Sequence, residues 1–236
     1  IKDKRYKEAL AVLEQILEIN VTAMTEMDPI TLDLIDLNEE GIINFNLTRF
    51  ALNILYAKYQ ISAPEKRAAN LYTYFTYSVF RDIHMEDILE RGREELKGLD
   101  RFWNDWISLL ETKQGNTESR LLREAAFCYG GEDGLAQVAR RNFKTHPSIS
   151  LAVMEEYQKS HSYEEMLDFA PKAVEEIDRN LKIRGQIAEK AALAASYEER
   201  RDDVRRFCYE AFCSNKDVRS YLRLFGEREM ADTYGN

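Results

Sequence analysis

Arg141-Asn142-Phe143-Lys144-Thr145-His146-Pro147-Ser148-Ile149 and Tyr209-Glu210-Ala211-Phe212-Cys213-Ser214-Asn215-Lys216-Asp217-Val218 read as two copies of one unit. In each copy a basic amphipathic helix ends on a Phe. A short polar break follows, and an apolar residue six positions after that Phe opens the next helix. Between the copies, Tyr163-Glu164-Glu165-Met166-Leu167 starts a third unit of similar build. A recurring helix pair predicts a stacked α-solenoid, because one pair cannot bury its apolar face alone. Folds of this kind work by offering a surface, so the expectation is a binding protein and not an enzyme.

Working outward, the same helical periodicity fills the rest of the chain. Tyr6, Ala9, Leu10, Leu13, Ile16 and Leu17 lie at helical spacing, opposite Lys7, Glu8, Glu14 and Glu18. Asp28-Pro29 reads as a helix start, and Asn38 to Gly41 as a stop. A helix is predicted from about Phe45 to Tyr59, and another from Ser62 and Pro64 through Leu71-Tyr72-Thr73-Tyr74-Phe75-Thr76-Tyr77-Ser78-Val79-Phe80. That run is rich in β-formers, but Leu71, Phe75 and Val79 align at i+4 spacing. Helices are then predicted over Met85–Lys97 and, after an Asp100 cap, Arg101–Lys113. Gly130-Gly131 should break the helix between Leu121 and Phe143, and Pro147-Ser148 should start the next. Ser162 with Glu165 and Ser196 with Glu199 fit capping boxes. Pro171 predicts a kink or a split, and Asp217 should cap a short helix Val218–Phe225 before a frayed tail, Thr233–Asn236.

This gives eleven to thirteen helices and no strand. The predicted fold is all-α, antiparallel helix pairs stacked into one right-handed α-solenoid over 1–236, with an irregular block 1–114 and a repeat-like block 115–236.

Composition bounds the function. The chain is 44% hydrophobic and 32% charged, with ten glycines and four prolines in 236 residues, which favours helices joined by short loops. A net charge of −9 argues against broad nucleic-acid binding, which needs a basic footprint. Arg200, Arg201, Arg205 and Arg206 cluster, but Glu198, Glu199, Asp202 and Asp203 interleave with them and neutralise the stretch. Three cysteines without a framework fit a reducing cytoplasm, and no apolar run approaches the ~20 residues of a membrane span. The chain opens at Ile1 and not at Met, so it is read as a fragment of a longer protein.

Asp3-Lys4-Arg5-Tyr6-Lys7-Glu8-Ala9-Leu10, closing in Leu17-Glu18-Ile19-Asn20, resembles the second helix of a tetratricopeptide repeat. Ser162-Tyr163-Glu164-Glu165-Met166-Leu167 repeats that opening with Met in place of Ala. The Trp-Leu-Gly opening of that family is missing, and the period drifts between about 31 and 39 residues instead of holding near about 34. The order of a repeat-like first helix, an irregular middle, an Arg205-Arg206-Phe207-Cys208-Tyr209-Glu210-Ala211-Phe212 helix and Val218-Arg219-Ser220-Tyr221-Leu222 is similar to the helical C-terminal region of bacterial SWIM zinc-finger proteins. The zinc motif of that family lies upstream of its helices, and no residue here matches it. The resemblance implies an interaction platform, or an accessory module of a nucleic-acid-associated protein.

No motif for catalysis, metal or cofactor survives inspection. Cys208 and Cys213 project roughly 140° apart on a helix and cannot share a zinc ion unaided. His84-Met85-Glu86 lacks the downstream cysteines of zinc deaminases. His84, His146 and His161 all sit at predicted helix ends, and Gly130, Gly131 and Gly134 lack the strand and Lys-Ser/Thr of a phosphate loop. The aromatics carry the functional hint. Tyr72, Tyr74, Tyr77, Trp103 and Trp106 crowd the middle third, mostly as core. They cannot all point inward, and any left exposed would anchor a partner peptide. Arg184, Arg201 and Arg205 complete the candidate contact set. The expected partner is a protein or peptide, without cofactor, membrane or direct nucleic-acid binding. A basic stripe of Arg184, Arg200, Arg201, Arg205, Arg206 and Arg219 freed from acids would instead favour nucleic acid.

Overall fold

Apolar residues at helical spacing become helices along most of the chain. The computed structural model describes residues 5–24, 28–91 and 96–224, and among these it holds twelve α-helices and one two-stranded sheet. Asp3, Lys4, the predicted helix segment 92–95, Phe225 and the tail Thr233–Asn236 lie outside the described residues. The chain divides into two compact units, Ile1–Thr112 and Lys113–Asn236.

The N-terminal unit contains α1 (Tyr6–Leu17), β1 (Val21–Met24), β2 (Pro29–Leu32), α2 (Leu34–Glu39), α3 (Leu47–Ile61), α4 (Arg67–Tyr72), α5 (Met85–Arg91) and α6 (Leu99–Glu111). Helix α3 is its centre and packs against α1, α4 and α5. Ala51, Ile54, Leu55, Ala57 and Tyr59 of α3 are buried, so almost every face of the helix is covered. Its start is set by Asn46, whose Oδ1 accepts from the Arg49 amide at 2.7 Å. Around it the core is aromatic. Phe102 stacks on Trp106 at 5.8 Å between centroids, and Tyr59, Tyr72 and Phe75 meet the same pair edge-on or tilted. Arg67 is buried over the Tyr59 ring and donates to the carbonyls of Tyr59 and Lys97 at 3.1 and 2.9 Å.

Three expectations fail in this unit. Asp28-Pro29 does not start a helix. Pro29 opens β2, which pairs antiparallel with β1 in the register Val21 to Leu32, so the chain is not free of strands. A strand's first residue tolerates proline, and Val21, Thr22, Ile30 and Thr31 are β-formers. The real cap lies four residues after Pro29. Asp33 Oδ1 accepts from the Ile35 and Asp36 amides while Asp36 Oδ2 accepts from the Asp33 amide, a capping box for α2. The run through Phe80 is not one helix either: α4 stops at Tyr72, 3₁₀ turns cover Thr73–Thr76 and Ser78–Phe80, and Tyr77 between them is extended. Its aromatic and β-branched residues lose side-chain freedom in an α-helix, which leaves the tighter turns competitive. Finally, α6 begins after Gly98, whose φ of +72° suits glycine, and Asp100 lies in its first turn.

The C-terminal unit contains α7 (Asn116–Arg141), α8 (Pro147–Lys159), α9 (Tyr163–Glu176), α10 (Lys182–Tyr197), α11 (Arg201–Asn215) and α12 (Val218–Arg223). The predicted glycine break is present inside α7, at Gly131 with φ +59° and ψ −149°. Past it the two arms close on each other, and a Cβ on Gly134 would lie 2.7 Å from the Ala126 carbonyl oxygen. Helix α10 packs against α8, α9 and α11. It can do so because it is built from small residues: Gly185, Ala188, Ala191, Ala194 and Ala195 are all buried, and a Cβ on Gly185 would meet Asn215 Oδ1 at 2.1 Å. Pro147 and Asp217 start α8 and α12 as expected. Neither predicted capping box forms: Ser162 makes no side-chain cap bond, and Ser196 lies inside α10. Helix α9 continues through Pro171 without splitting.

Candidate functional site

Four helical stripes in the C-terminal unit converge on one groove of about 580 Å³. Leu151, Glu155 and Gln158 lie at i, i+4 and i+7 on α8. Gln186, Glu189, Lys190 and Leu193 follow i, i+3, i+4 and i+7 on α10. Val204, Cys208 and Ala211 come from α11, and Ser220 and Arg223 from α12. On α8 and α10 the stripe is the side of the helix that the core leaves most open, whereas Val204, Ala211 and Ser220 of α11 and α12 are themselves buried beneath the groove. On α8 the opposite side, carrying Ile149, Val153, Met154 and Tyr157, is buried. On α10 the alanines face the neighbouring helices and leave Leu193 40% exposed.

The floor is apolar, formed by Leu151, Ala192, Leu193, Val204 and Ala211. The rim is polar and mostly tied down. Lys190 Nζ donates to Gln158 Oε1 at 2.7 Å, linking α10 to α8. Glu189 bridges the other way, accepting from Asn215 Nδ2 at 3.1 Å and pairing with Arg223 at 3.3 Å. Glu155 and Gln186 are exposed at the mouth. Such an arrangement can bury an apolar side chain while charged rims orient the segment that carries it. Cys208 sits half-buried in the lining.

The residues singled out from sequence lie elsewhere. Trp103 and Trp106 are core, Trp106 with no exposed surface, and so are not contact residues. The Trp106 Nε1 has no hydrogen-bond partner among the described residues, so packing alone holds the ring. Tyr74 is buried, Tyr72 half-buried against Trp106, and Tyr77 exposed at 37%. Arg184 is also a correction, at 6% exposure. Its guanidinium donates to the carbonyl oxygens of Val174 and Glu210, to Ser214 Oγ, and to Glu210 Oε2 at 2.6 Å, pinning α10 to α9 and α11. A buried arginine is held by acceptors it has already found, which leaves nothing to offer a partner. Arg201 is exposed, and Arg205 lies 3.7 Å from Asp202.

The basic stripe does not stand free of acids. Arg184 pairs with Glu210, Arg200 with Glu164 and Arg205 with Asp202, while Arg206 lies over the Phe207 ring. The groove residues carry no motif, since each is an ordinary member of an amphipathic helix. Leu193, the one large apolar residue on the polar stripe of α10, was the available signal. No helix among the described residues is long and apolar enough to cross a membrane. No significant match to the chain is found among protein-family models, curated proteins or solved structures.

Proposed function

We propose that the C-terminal unit is a non-catalytic, tetratricopeptide-like helical-repeat module that binds a segment of a partner protein in the groove lined by α8, α10, α11 and α12. The packing supports the repeat reading. Helix α8 meets both α9 and α10, α9 meets α10, α10 meets α11, and α11 meets α12, the neighbour scheme of helix pairs added one at a time. Helix starts at Pro147, Lys182 and Val218 keep a near-constant interval. In this scheme α8, α10 and α12 are the first helices of successive pairs, and together they line the groove.

The observation that carries the binding reading is Leu193. It is a large apolar side chain left substantially exposed beside Leu151 on an apolar floor, between charged rims. The matching occupant is a short amphipathic peptide with one large apolar side chain for the floor and a basic residue toward Glu155. The alternative, an accessory module of a SWIM-type nucleic-acid-associated protein, would call for a free basic stripe, and three of its six arginines already pair with acids.

A display selection of peptides on the full chain tests the reading. Peptides of the stated pattern should emerge and bind saturably. Leu193→Glu should weaken them at least about tenfold, since it puts a charge where an apolar side chain must be buried. Peptides that bind the Leu193→Glu chain as well as the parent would overturn the groove as the site.

A further inference from the structure

The N-terminal unit holds a second cavity, of about 630 Å³, lined by Glu14 and Leu17 of α1, Glu18 that caps its C-terminus, Lys58 of α3, and the turn from Tyr72 to Tyr77. Its construction follows from two matching pairs. At the end of α1, Glu14 and Glu18 are one turn apart and face the same way. Tyr74 lies in the 3₁₀ turn Thr73–Thr76 and Tyr77 is the extended residue just after it, and their two hydroxyls reach the two glutamates in the same order. The Tyr74 hydroxyl donates to Glu14 Oε1, and the Tyr77 hydroxyl donates to Glu18 Oε1 at 2.6 Å.

We propose that this cavity is a binding site for a guanidinium group, the terminal group of an arginine side chain or of a small guanidino compound. Charge is the first reason. The cavity holds two carboxylates against the single ammonium of Lys58, which lies 3.5 Å from Glu14 Oε1. Among the described residues Oε2 of both Glu14 and Glu18 takes no hydrogen bond, so two anionic acceptors remain open to a guest. Both phenol hydroxyls are spent on carboxylates and present no donor to an anion. Burial, followed by the Glu14 hydrogen bond, pushes the Tyr74 phenol far up, and the Glu18 hydrogen bond raises Tyr77, so both rings stay neutral when the carboxylates are charged.

The walls are the second reason. Three tyrosine rings border the cavity, and ring faces attract cations. The site already seats one, with Lys58 Nζ 5.4 Å from the Tyr74 ring centroid. That occupied position argues for guanidinium over a second ammonium. A guanidinium is planar, stacks on aromatic faces and carries five N–H donors pointing along several edges, so it can donate to the Oε2 atoms without displacing Lys58. A metal ion is a poor match, because no group of three or more His, Cys, Asp or Glu residues forms a metal-holding cluster among the described residues.

Tyrosine-ring NMR of the full chain tests the proposal, with three probes: blocked argininamide, its neutral isostere blocked citrullinamide, and a blocked Gly-Arg-Gly peptide. The arginine probes should shift the Tyr74 and Tyr77 resonances saturably, and citrullinamide should not. Glu18→Gln, an exposed change at the end of α1, should weaken the arginine probes about tenfold while leaving the unbound spectrum otherwise in place. A peptide tighter than argininamide supports the site as a reader of arginine in a chain. Equal affinity supports it as a site for a free guanidino compound. Absence of saturable shifts with both arginine probes, or equal shifts with citrullinamide, overturns the proposal.

Discussion

The two units solve the same problem, burying helices side by side, around different centres. The N-terminal unit fills its core with large flat rings, Tyr59, Phe80, Phe102 and Trp106. Its elements are short and mixed: a hairpin, 3₁₀ turns and helices as brief as α4. The C-terminal unit centres on α10, whose buried residues are mostly alanine, and its long helices pack in regular succession. Side-chain size explains the contrast. Small residues let neighbouring backbones approach closely, whereas large rings hold their neighbours further apart.

The comparison can be broken most directly at the rings. Trp106→Ala should cost about 3–5 kcal/mol, the usual range for emptying a fully buried aromatic site. Hydrogen exchange should show the loss in residues 5–112. An equal loss across 113–224 would mean that the two units do not differ in what holds them. In the C-terminal unit the matching weak point is polar. Arg184→Ala should cost about 3 kcal/mol by urea denaturation, because it strands the acceptors of Val174, Glu210 and Ser214. Arg184→Lys should recover only part of this, since one ammonium cannot reach all of them.

Enlarging the small residues sharpens the contrast. Ala191→Leu should cost about 1–3 kcal/mol by overpacking and should loosen exchange protection in α8, α9 and α11 together. Gly131→Ala should cost about 1–2 kcal/mol. Its cause is different, since φ +59° with ψ −149° is open to glycine and strained for any L side chain.

The smallest effect is at the C-terminal cap. The side-chain and backbone hydrogen bonds from Ser220 hold the Asp217 carboxyl below the usual carboxylate range. Its contribution is therefore full above the ordinary aspartate value of 3.8 and fades as pH falls through the lowered folded value. Amide exchange at Ser220 should quicken over that acidic window, and in Asp217→Asn the pH dependence should disappear.

Reading the chain by local rules worked where the controlling chemistry is local. Pro147 and Asp217 start helices and Gly131 breaks one, because caps and breakers act within about four residues, whereas α7 stops at Arg141, before Phe143, and α11 runs past Phe212 to Asn215. The same rules misjudged Asp28-Pro29, where a β-hairpin overrode a good helix start, and Ser196, where α10 continued past a good cap. Residue type alone also leaves Trp103, Trp106 and Arg184 as possible contacts, and burial removes all three.

The sequence by itself determined that this chain is mostly helical and where many of its helices begin. The tertiary structure decided what each helix face meets. Leu193 is exposed because alanines take the buried sides of α10, and Glu14 and Glu18 gain their tyrosines from 60 and 59 residues away. Helix formation depends on neighbours a turn apart, which the sequence spells out. Burial, ion pairing and cavities depend on partners brought together only when the helices pack.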